Sequence, residues 1–186
     1  MNIGFAMCGS FCTFEQVFPA LKILSSTHSV TPIFSLTAYT TDTRFGTARE
    51  HIEQAEAICG NKVLHTLVQV EPIGPKKLFD ALVIAPCTGN TLAKLAHSIA
   101  DGPVTLAAKS HLRNGRPVLI ARSSNDALAG AAENIGRLLN KKNYYFVPFG
   151  QDDPEKKPTS MVADFSKLPA ALDAALDGRQ IQPLLL

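Results

Sequence analysis

Residues 82–99 combine a buried strand, a short polar loop and the start of a helix. An apolar run ends at Pro86, small polar residues occupy positions 87–91, and apolar residues then recur at intervals of three and four up to Ile99. Such a junction presents unpaired backbone N–H groups, hydroxyls and the positive end of a helix dipole. The segment therefore predicts a site for an anionic or polar ligand as well as a unit of fold.

The same alternation of strand and helix runs along the rest of the chain. Short apolar runs predict strands at 3–7, 30–36, 81–85, 117–121 and 144–147. Apolar residues at helical spacing predict helices at 14–24, 48–59, 88–100, 104–112, 125–139 and 168–176. Strands separated by helices predict a three-layer α/β fold with a doubly wound parallel sheet, flavodoxin-like or Rossmann-like, as one domain over 1–186.

Two segments match neither the two-residue period of a strand nor the 3.6-residue period of a helix. Residues 62–78 are ambiguous, with turn signals at Glu71-Pro72 and Gly74-Pro75. Residues 148–160 contain three prolines and several charges, which predicts a long surface loop with a functional or contact-forming role. The paired acids and paired lysines of that loop suit a lid, a partner-docking loop or a plain solvated turn.

Composition excludes several classes of function. The chain has 46% hydrophobic residues, 18% charged residues and a net charge of +2, without a basic stripe, so nucleic acid is not an expected partner. No apolar run approaches the roughly 18 residues of a membrane span, and the first residues lack a signal-peptide pattern, so we expect a cytoplasmic protein. The four cysteines show no metal-ligand spacing, which predicts reduced thiols and no metal site.

Small polar residues follow four of the predicted strands. They are Gly9 and Ser10, Ser35 and Thr37, the segment 86–91, and the segment 122–125. Ligands of open parallel sheets bind outside the carboxyl ends of the strands, so these residues predict one site. Arg122 adds a forked, permanent positive charge suited to phosphate or carboxylate. The chain contains neither G-x-G-x-x-G nor a P-loop, so a standard dinucleotide fingerprint is missing.

The segment APCTGNTLAKLAHSIAD (85–101) resembles the P-x-[ST]-x-x-T-x-x-[KA]-x-A-x-x-x-A-D motif of the FMN-binding flavoproteins, which include flavin-dependent cysteine decarboxylases and flavin prenyltransferases. The turn at 8–10 resembles the phosphate-binding turn of that family. Arg122 matches the arginine that the prenyltransferases place after this strand. The resemblance implies FMN bound across subunit contacts. The implied cofactor-binding residues are Gly9, Ser10, Ser35, Thr37, Pro86, Cys87, Thr88, Asn90, Thr91 and Arg122.

Further segments, SNDAL at 124–128 and FGQDDPEKKPTSMV at 149–162, resemble one branch of this family, the B subunits of a two-subunit oxidoreductase. That branch implies an A subunit as partner, NADP carried by the A subunit, a small dicarboxylate substrate and a homo-oligomer, either a trimer or a dodecamer. Arg44 and Asn125 are candidate substrate-binding residues. Their alternatives are a solvated arginine for Arg44 and a helix cap for Asn125.

Two other functions stay open at this point. One is a self-sufficient FMN enzyme of the prenyltransferase or decarboxylase type, and the other is a flavin-binding or scaffolding subunit without catalysis. The chain departs from the cysteine decarboxylases, because 37–48 contains no histidine and 121–128 reads ARSSNDAL instead of containing P-x-M-N. No histidine falls in a strand-end loop, so the sequence assigns no general base and no catalytic residue.

Overall fold

The computed structural model describes all residues 1–186. Five parallel strands form the centre of its sheet in the order β2-β1-β3-β4-β5. Two short antiparallel strands, β7 and then β6, extend the sheet from the carboxyl end of β4. The strands are β1 (Asn2–Met7), β2 (Ser29–Phe34), β3 (Ala81–Cys87), β4 (Val118–Ser124), β5 (Tyr144–Phe146), β6 (Phe149–Gly150) and β7 (Met161–Ala163).

Helices cover both sides of the sheet. Because parallel crossovers are right-handed, the connection that runs from β1 outward to β2 lies on the opposite side from those that run from β3 through β4 to β5. Accordingly α1 packs with α8, while α5 packs with α6 and α7. The helices are α1 (Phe14–Ser25), α2 (Leu36–Thr40), α3 (Ala48–Cys59), α4 (Leu67–Val70), α5 (Gly89–Ala96), α6 (Pro103–Leu112), α7 (Ala132–Leu139) and α8 (Leu168–Leu176).

The core is one cluster of 49 buried residues centred on the sheet. Every residue of β3 is buried, as expected for a central parallel strand covered on both faces. None of the helices has both the length and the apolar character that a membrane crossing requires.

The predicted fold class and most predicted elements are confirmed. Helix α3 has the predicted bounds because Thr47 and Glu50 form a capping box at its start and Gly60, at φ 66°, ends it. Helix α8 also occupies the predicted residues. The ambiguous stretch 62–78 contains the single turn of α4.

The predicted helix at 125–139 is wrong in its first half, because α7 begins only at Ala132. In the preceding segment the carbonyl of Asp126 accepts hydrogen bonds from the N–H groups of Ala129 (3.0 Å) and Ala131 (3.1 Å). The N–H of Leu128 donates instead to the carbonyl of Thr159, at 3.0 Å. This long-range bond takes a donor that a helix would use and holds 125–131 as a series of turns.

Two other predicted elements end early. The strand predicted to reach residue 36 ends at Phe34, because the side chain of Ser35 accepts from the N–H of Ala38 and starts α2. The helix predicted to reach residue 100 ends at Ala96. There the ammonium of Lys141 donates to the carbonyl of Ala96, at 2.7 Å, and occupies an acceptor at the helix end.

Most of the predicted surface loop 148–160 is present, since residues 151–160 form turns and are mostly exposed, and this loop connects the two short strands of a β-hairpin. Strand β6 leads into a charged turn and β7 returns, with Phe149 opposite Ala163. Strand β7 pairs with the last residues of β4, Ser123 and Ser124. The hairpin is therefore attached to the edge of the sheet at which the predicted site lies.

Candidate functional site

Two adjoining clefts lie at the carboxyl edge of the parallel sheet. The first cleft has a volume of about 690 Å³ and the second about 510 Å³. Both are lined by Gly9, after β1, and by Thr88, after β3. Their location agrees with the rule that ligands of open α/β sheets bind beyond the carboxyl ends of the strands.

Ser10 connects two strand ends at the floor of the first cleft. Its Oγ lies 2.9 Å from the Oγ of Ser123 at the end of β4, so the two hydroxyls share a hydrogen bond. Beside it, a Cβ on Gly9 would lie 2.9 Å from Cγ2 of Thr37. Glycine is therefore required where the loop after β1 passes close to α2.

The start of α5 forms the wall between the two clefts. Thr88 caps this helix by accepting from the N–H of Thr91, at 3.3 Å, and donates its hydroxyl to Oγ1 of Thr91, at 3.1 Å. The Thr91 hydroxyl donates in turn to Sγ of Cys8, at 3.4 Å. Thr91 is thus buried and engaged, while the first N–H groups of α5, those of Gly89 and Asn90, have no acceptor within the helix.

A second glycine keeps the loop after β4 close to α5. A Cβ on Gly89 would lie 2.9 Å from both Oδ1 of Asp126 and Oγ of Ser124. Those two atoms are themselves hydrogen-bonded, with the Ser124 hydroxyl as donor. The end of β4 and the start of α5 therefore meet across the first cleft with no room for an additional side chain.

Cys12 lines the first cleft and is exposed, whereas Cys8 and Cys87 are buried thiols. Burial raises the pKa of Cys8 to about 11, although hydrogen bonds from Thr91 and Thr88 oppose the shift. Burial also raises the pKa of Cys87 well above its usual value. Neither thiol is a thiolate at neutral pH, so neither is suited to act as a nucleophile.

Arg122 is fully buried in β4, opposite Cys87 in the ladder, and lines neither cleft. Its Nε, Nη1 and Nη2 atoms have no hydrogen-bond partner. Burial lowers the pKa of the guanidinium, while the nearby Cys87 and Asp126 act in the opposite direction. A buried cation with three unpartnered nitrogens is costly on its own and fits an anionic group within its reach.

The structure brings most of the predicted site residues together. Gly9, Ser10, Thr88 and Asn125 line the first cleft, and Gly9, Ser35, Thr37, Thr88, Asn90 and Thr91 line the second. Pro86 and Cys87 are buried in β3 and line neither cleft. Arg44 lies outside both clefts, exposed, with its guanidinium 4.8 Å from the ring centroid of Phe45.

Asn125 lines the first cleft and does not cap α7, whose N-cap residue is Ala131. Its carbonyl accepts from the Thr159 hydroxyl, at 2.7 Å, and its side-chain oxygen accepts from the Ser160 hydroxyl, at 3.4 Å. Asn125 therefore connects the end of β4 to the hairpin.

Sequence reasoning included Ser123 and Ser124 in the predicted segment 122–125 but did not assign three charged residues of the first cleft. Asp126 lines the cleft just beyond the end of β4, and Asp152 and Lys157 line it from the hairpin. The only sequence signal for the last two was the charged pairs of 152–157, which fit a solvated turn equally well. Their placement depends on the pairing of β7 with β4.

Comparison with known proteins gives consistent similarities. The flavoprotein family model ("Flavoprotein") matches residues 1–167. The chain is 44% identical to the B subunit of dipicolinate synthase from Bacillus subtilis (strain 168), over 100% of this chain and 93% of that protein. It is 45% identical to the crystal structure of the B subunit of dipicolinate synthase from Bacillus halodurans C, with a TM-score of 0.91 and coverage of 100% and 95% of the two chains.

A more distant similarity concerns the fold alone. The chain is 23% identical to the FMN-dependent cysteine decarboxylase SpaF, with a TM-score of 0.70 and coverage of 94% of this chain and 97% of that one. At this identity the match supports a shared architecture of sheet and helices and carries no argument about chemistry.

Proposed function

The chain belongs to the flavoprotein family, and from this premise we propose that it serves as the B subunit of a dipicolinate synthase. The observation that carries the proposal is the 44% identity to the Bacillus subtilis protein over the full length of this chain. The match extends over the whole chain, so its range includes the hairpin and the loop after β4, which line the first cleft.

The proposed reaction is oxidation of dihydrodipicolinate, or its hydrated precursor, to pyridine-2,6-dicarboxylate. Aromatisation of the dihydropyridine removes one hydride and one proton from its ring. NADP takes the hydride and is carried by the A subunit, since this chain contains no nicotinamide fingerprint.

The chain's own residues supply binding surface for this reaction. The Ser10–Ser123 hydroxyl pair and the free N–H groups at the start of α5 are donors suited to anionic and carbonyl oxygens.

The residues present fit a flavin. The glycines at 9 and 89 let the loops after β1 and β4 approach α2 and α5 closely around the clefts, and the unpartnered guanidinium of Arg122 fits an anion. We propose that FMN is held by those residues implied by the family motif that line the two clefts, with the buried Arg122 in β4 supplying positive charge nearby. A bound flavin would supply a ring that exchanges hydride or single electrons.

Partners and location follow from the same proposal. The A subunit associates with this chain, which itself forms a homo-oligomer and works in the cytoplasm of the mother cell during sporulation. Leu185 and Leu186 are 65% and 57% exposed where the last residues run along β6, and burial of these leucines against another subunit would remove apolar surface from water.

The test is dipicolinate formation from freshly made dihydrodipicolinate and NADP, with this chain alone, the A subunit alone, and both mixed. We expect product only from the mixture. Full activity of the A subunit without this chain would contradict the proposal. Turnover by this chain alone, as a yellow protein, would favour the self-sufficient FMN enzyme, and an absorption spectrum of the purified chain tests the flavin separately.

A further inference from the structure

The first cleft has one basic and two acidic side chains in its lining. Lys157 is the basic residue, and Asp126 and Asp152 are the acidic ones. A dicarboxylate that enters the cleft is therefore repelled by two carboxylates and attracted by one ammonium group. Among the lining residues, Lys157 is the only one whose charge favours such a ligand.

Lys157 is held at the cleft by its own hairpin. Its Nζ lies 3.3 Å from Oδ2 of Asp152, and its backbone N–H donates to the carbonyl of Asp153, at 2.8 Å. Burial alone would raise the pKa of Asp152, but hydrogen bonding, with the ammonium of Lys157 among the donors, outweighs it and lowers that pKa. Asp152 therefore stays ionised and keeps the ammonium beside it.

The hairpin is in turn fixed to the wall of the cleft. Thr159 exchanges two hydrogen bonds with 125–128, one through its hydroxyl and one through its carbonyl. The side chain of Ser160 is buried and bonds to Asn125. The backbone at Lys157 is thus held beside the cleft by strand pairing and by the hydroxyls of Thr159 and Ser160.

The adjacent lysine has neither the ion pair nor a place at the cleft. Both lysine side chains are exposed, that of Lys157 by 54%, but Lys156 does not line the cleft and has no ion-pair partner. Both residues belong to the same turn and carry the same charge. The difference between them is therefore one of position.

We infer that Lys157 is a specificity-determining residue of the proposed reaction, binding one carboxylate of the dihydropyridine dicarboxylate. An ammonium group has three N–H donors, and the contact with Asp152 uses one, so two remain for the ligand. The inference rests on the proposed function, because that function supplies the dicarboxylate. Asp152 acts as the residue that positions Lys157.

The test uses the mixture of A and B subunits with the B-subunit variants Lys157→Gln, Lys157→Arg and Lys156→Gln. A charge-assisted contact to a carboxylate is strong enough that its loss should raise KM for dihydrodipicolinate about tenfold. Inhibition by dipicolinate should weaken by a similar factor, whereas inhibition by the monocarboxylate picolinate should weaken less. Lys157→Arg should keep most of the affinity, and Lys156→Gln should stay within about twofold of wild type.

The outcomes separate the two proposals. If the wild-type mixture forms no dipicolinate, the proposed function fails and this inference fails with it. If the wild-type mixture is active and the two glutamine variants have the same KM, only the role of Lys157 is refuted. Weaker association of Lys157→Gln with the A subunit, at unchanged dipicolinate inhibition, would also refute it and would assign the hairpin to docking.

Discussion

Replacing Arg122 with methionine should change the stability of the flavin-free protein and its affinity for flavin in opposite directions. The side chain is fully buried, and its three nitrogens have no partner. Methionine keeps an unbranched side chain in place and removes a desolvated charge. Replacing buried ionic groups with apolar side chains of similar volume is often neutral or stabilising by about 1–4 kcal/mol, and we expect a gain of roughly 2 kcal/mol because the negative charge of Asp126 offsets part of the penalty.

Flavin binding should respond in the other direction. If the guanidinium acts on an anionic part of FMN, its loss removes a charge-assisted interaction of about 1.5–3 kcal/mol, or roughly a 10- to 100-fold loss of affinity. The stabilisation of the protein by saturating FMN should shrink by a corresponding amount.

Two measurements check this reasoning. Urea unfolding of the flavin-free protein gives the change in stability, and quenching of flavin fluorescence gives the affinity for FMN. Arg113→Met is the matched control, because Arg113 lies on the surface at the end of α6 and should change stability by no more than about 0.5 kcal/mol. A flavin-free Arg122→Met protein that is clearly less stable than wild type, or one that binds FMN as tightly as wild type, would refute the argument.

Three further measurements address stability and the close approaches at the site. Burial lowers the pKa of His111 to about 4, so as the pH falls the histidine is protonated in the unfolded chain before it is protonated in the folded protein. The contribution of the neutral His111 to the free energy of unfolding is therefore fully present above pH 6.5 and falls by about 1.4 kcal/mol per pH unit between pH 6.5 and 4. The free energy of unfolding, measured in urea from pH 7.5 to 5, should fall with pH at this rate in wild type and in the control His97→Gln, where an exposed histidine is replaced. The same pH dependence in His111→Gln would contradict the role given to His111. Gly89→Ala should displace the loop at Ser124 and Asp126, destabilise the protein by about 1–3 kcal/mol and weaken FMN binding. An affinity for FMN equal to that of wild type would show that the loop can move aside without affecting the site. Gly136→Ala should instead raise the free energy of unfolding by about 0.5–1 kcal/mol, because Gly136 lies inside α7 and no neighbouring atom is within 4 Å of the added methyl group. A decrease in the free energy of unfolding would argue against a helix at this position.

Local sequence signals were enough for most of the fold. Helix α3 begins at a capping box and ends at a left-handed glycine, and both signals lie within the segment itself. Strand β3 is a continuous apolar run because both of its faces are covered. The order of elements along the chain then leaves few topologies, since parallel crossovers are right-handed.

The same reasoning failed where a distant partner decides the outcome. Residues 125–131 have the composition of a helix start, but the carbonyl of Thr159 takes the N–H of Leu128. Residues 151–160 form the exposed loop that their composition predicts, but the pairing of β7 with Ser123 and Ser124, which fixes where this loop lies, could not be read from it. Neither partner lies within the range over which sequence periodicity can be read.

The sequence by itself determined the order of strands and helices and the polar residues that follow strands β1 to β4, because hydrophobic periodicity, capping and turn chemistry act over a few residues. Only the tertiary structure decided that Ser10 meets Ser123, that Arg122 is buried without a partner, and that Lys157 reaches the first cleft. Those relations depend on strand order, on which face of β4 a side chain occupies and on the pairing of the hairpin. They arise from packing between distant segments, such as Ser10 and Ser123, which are 113 residues apart, and no local pattern encodes them.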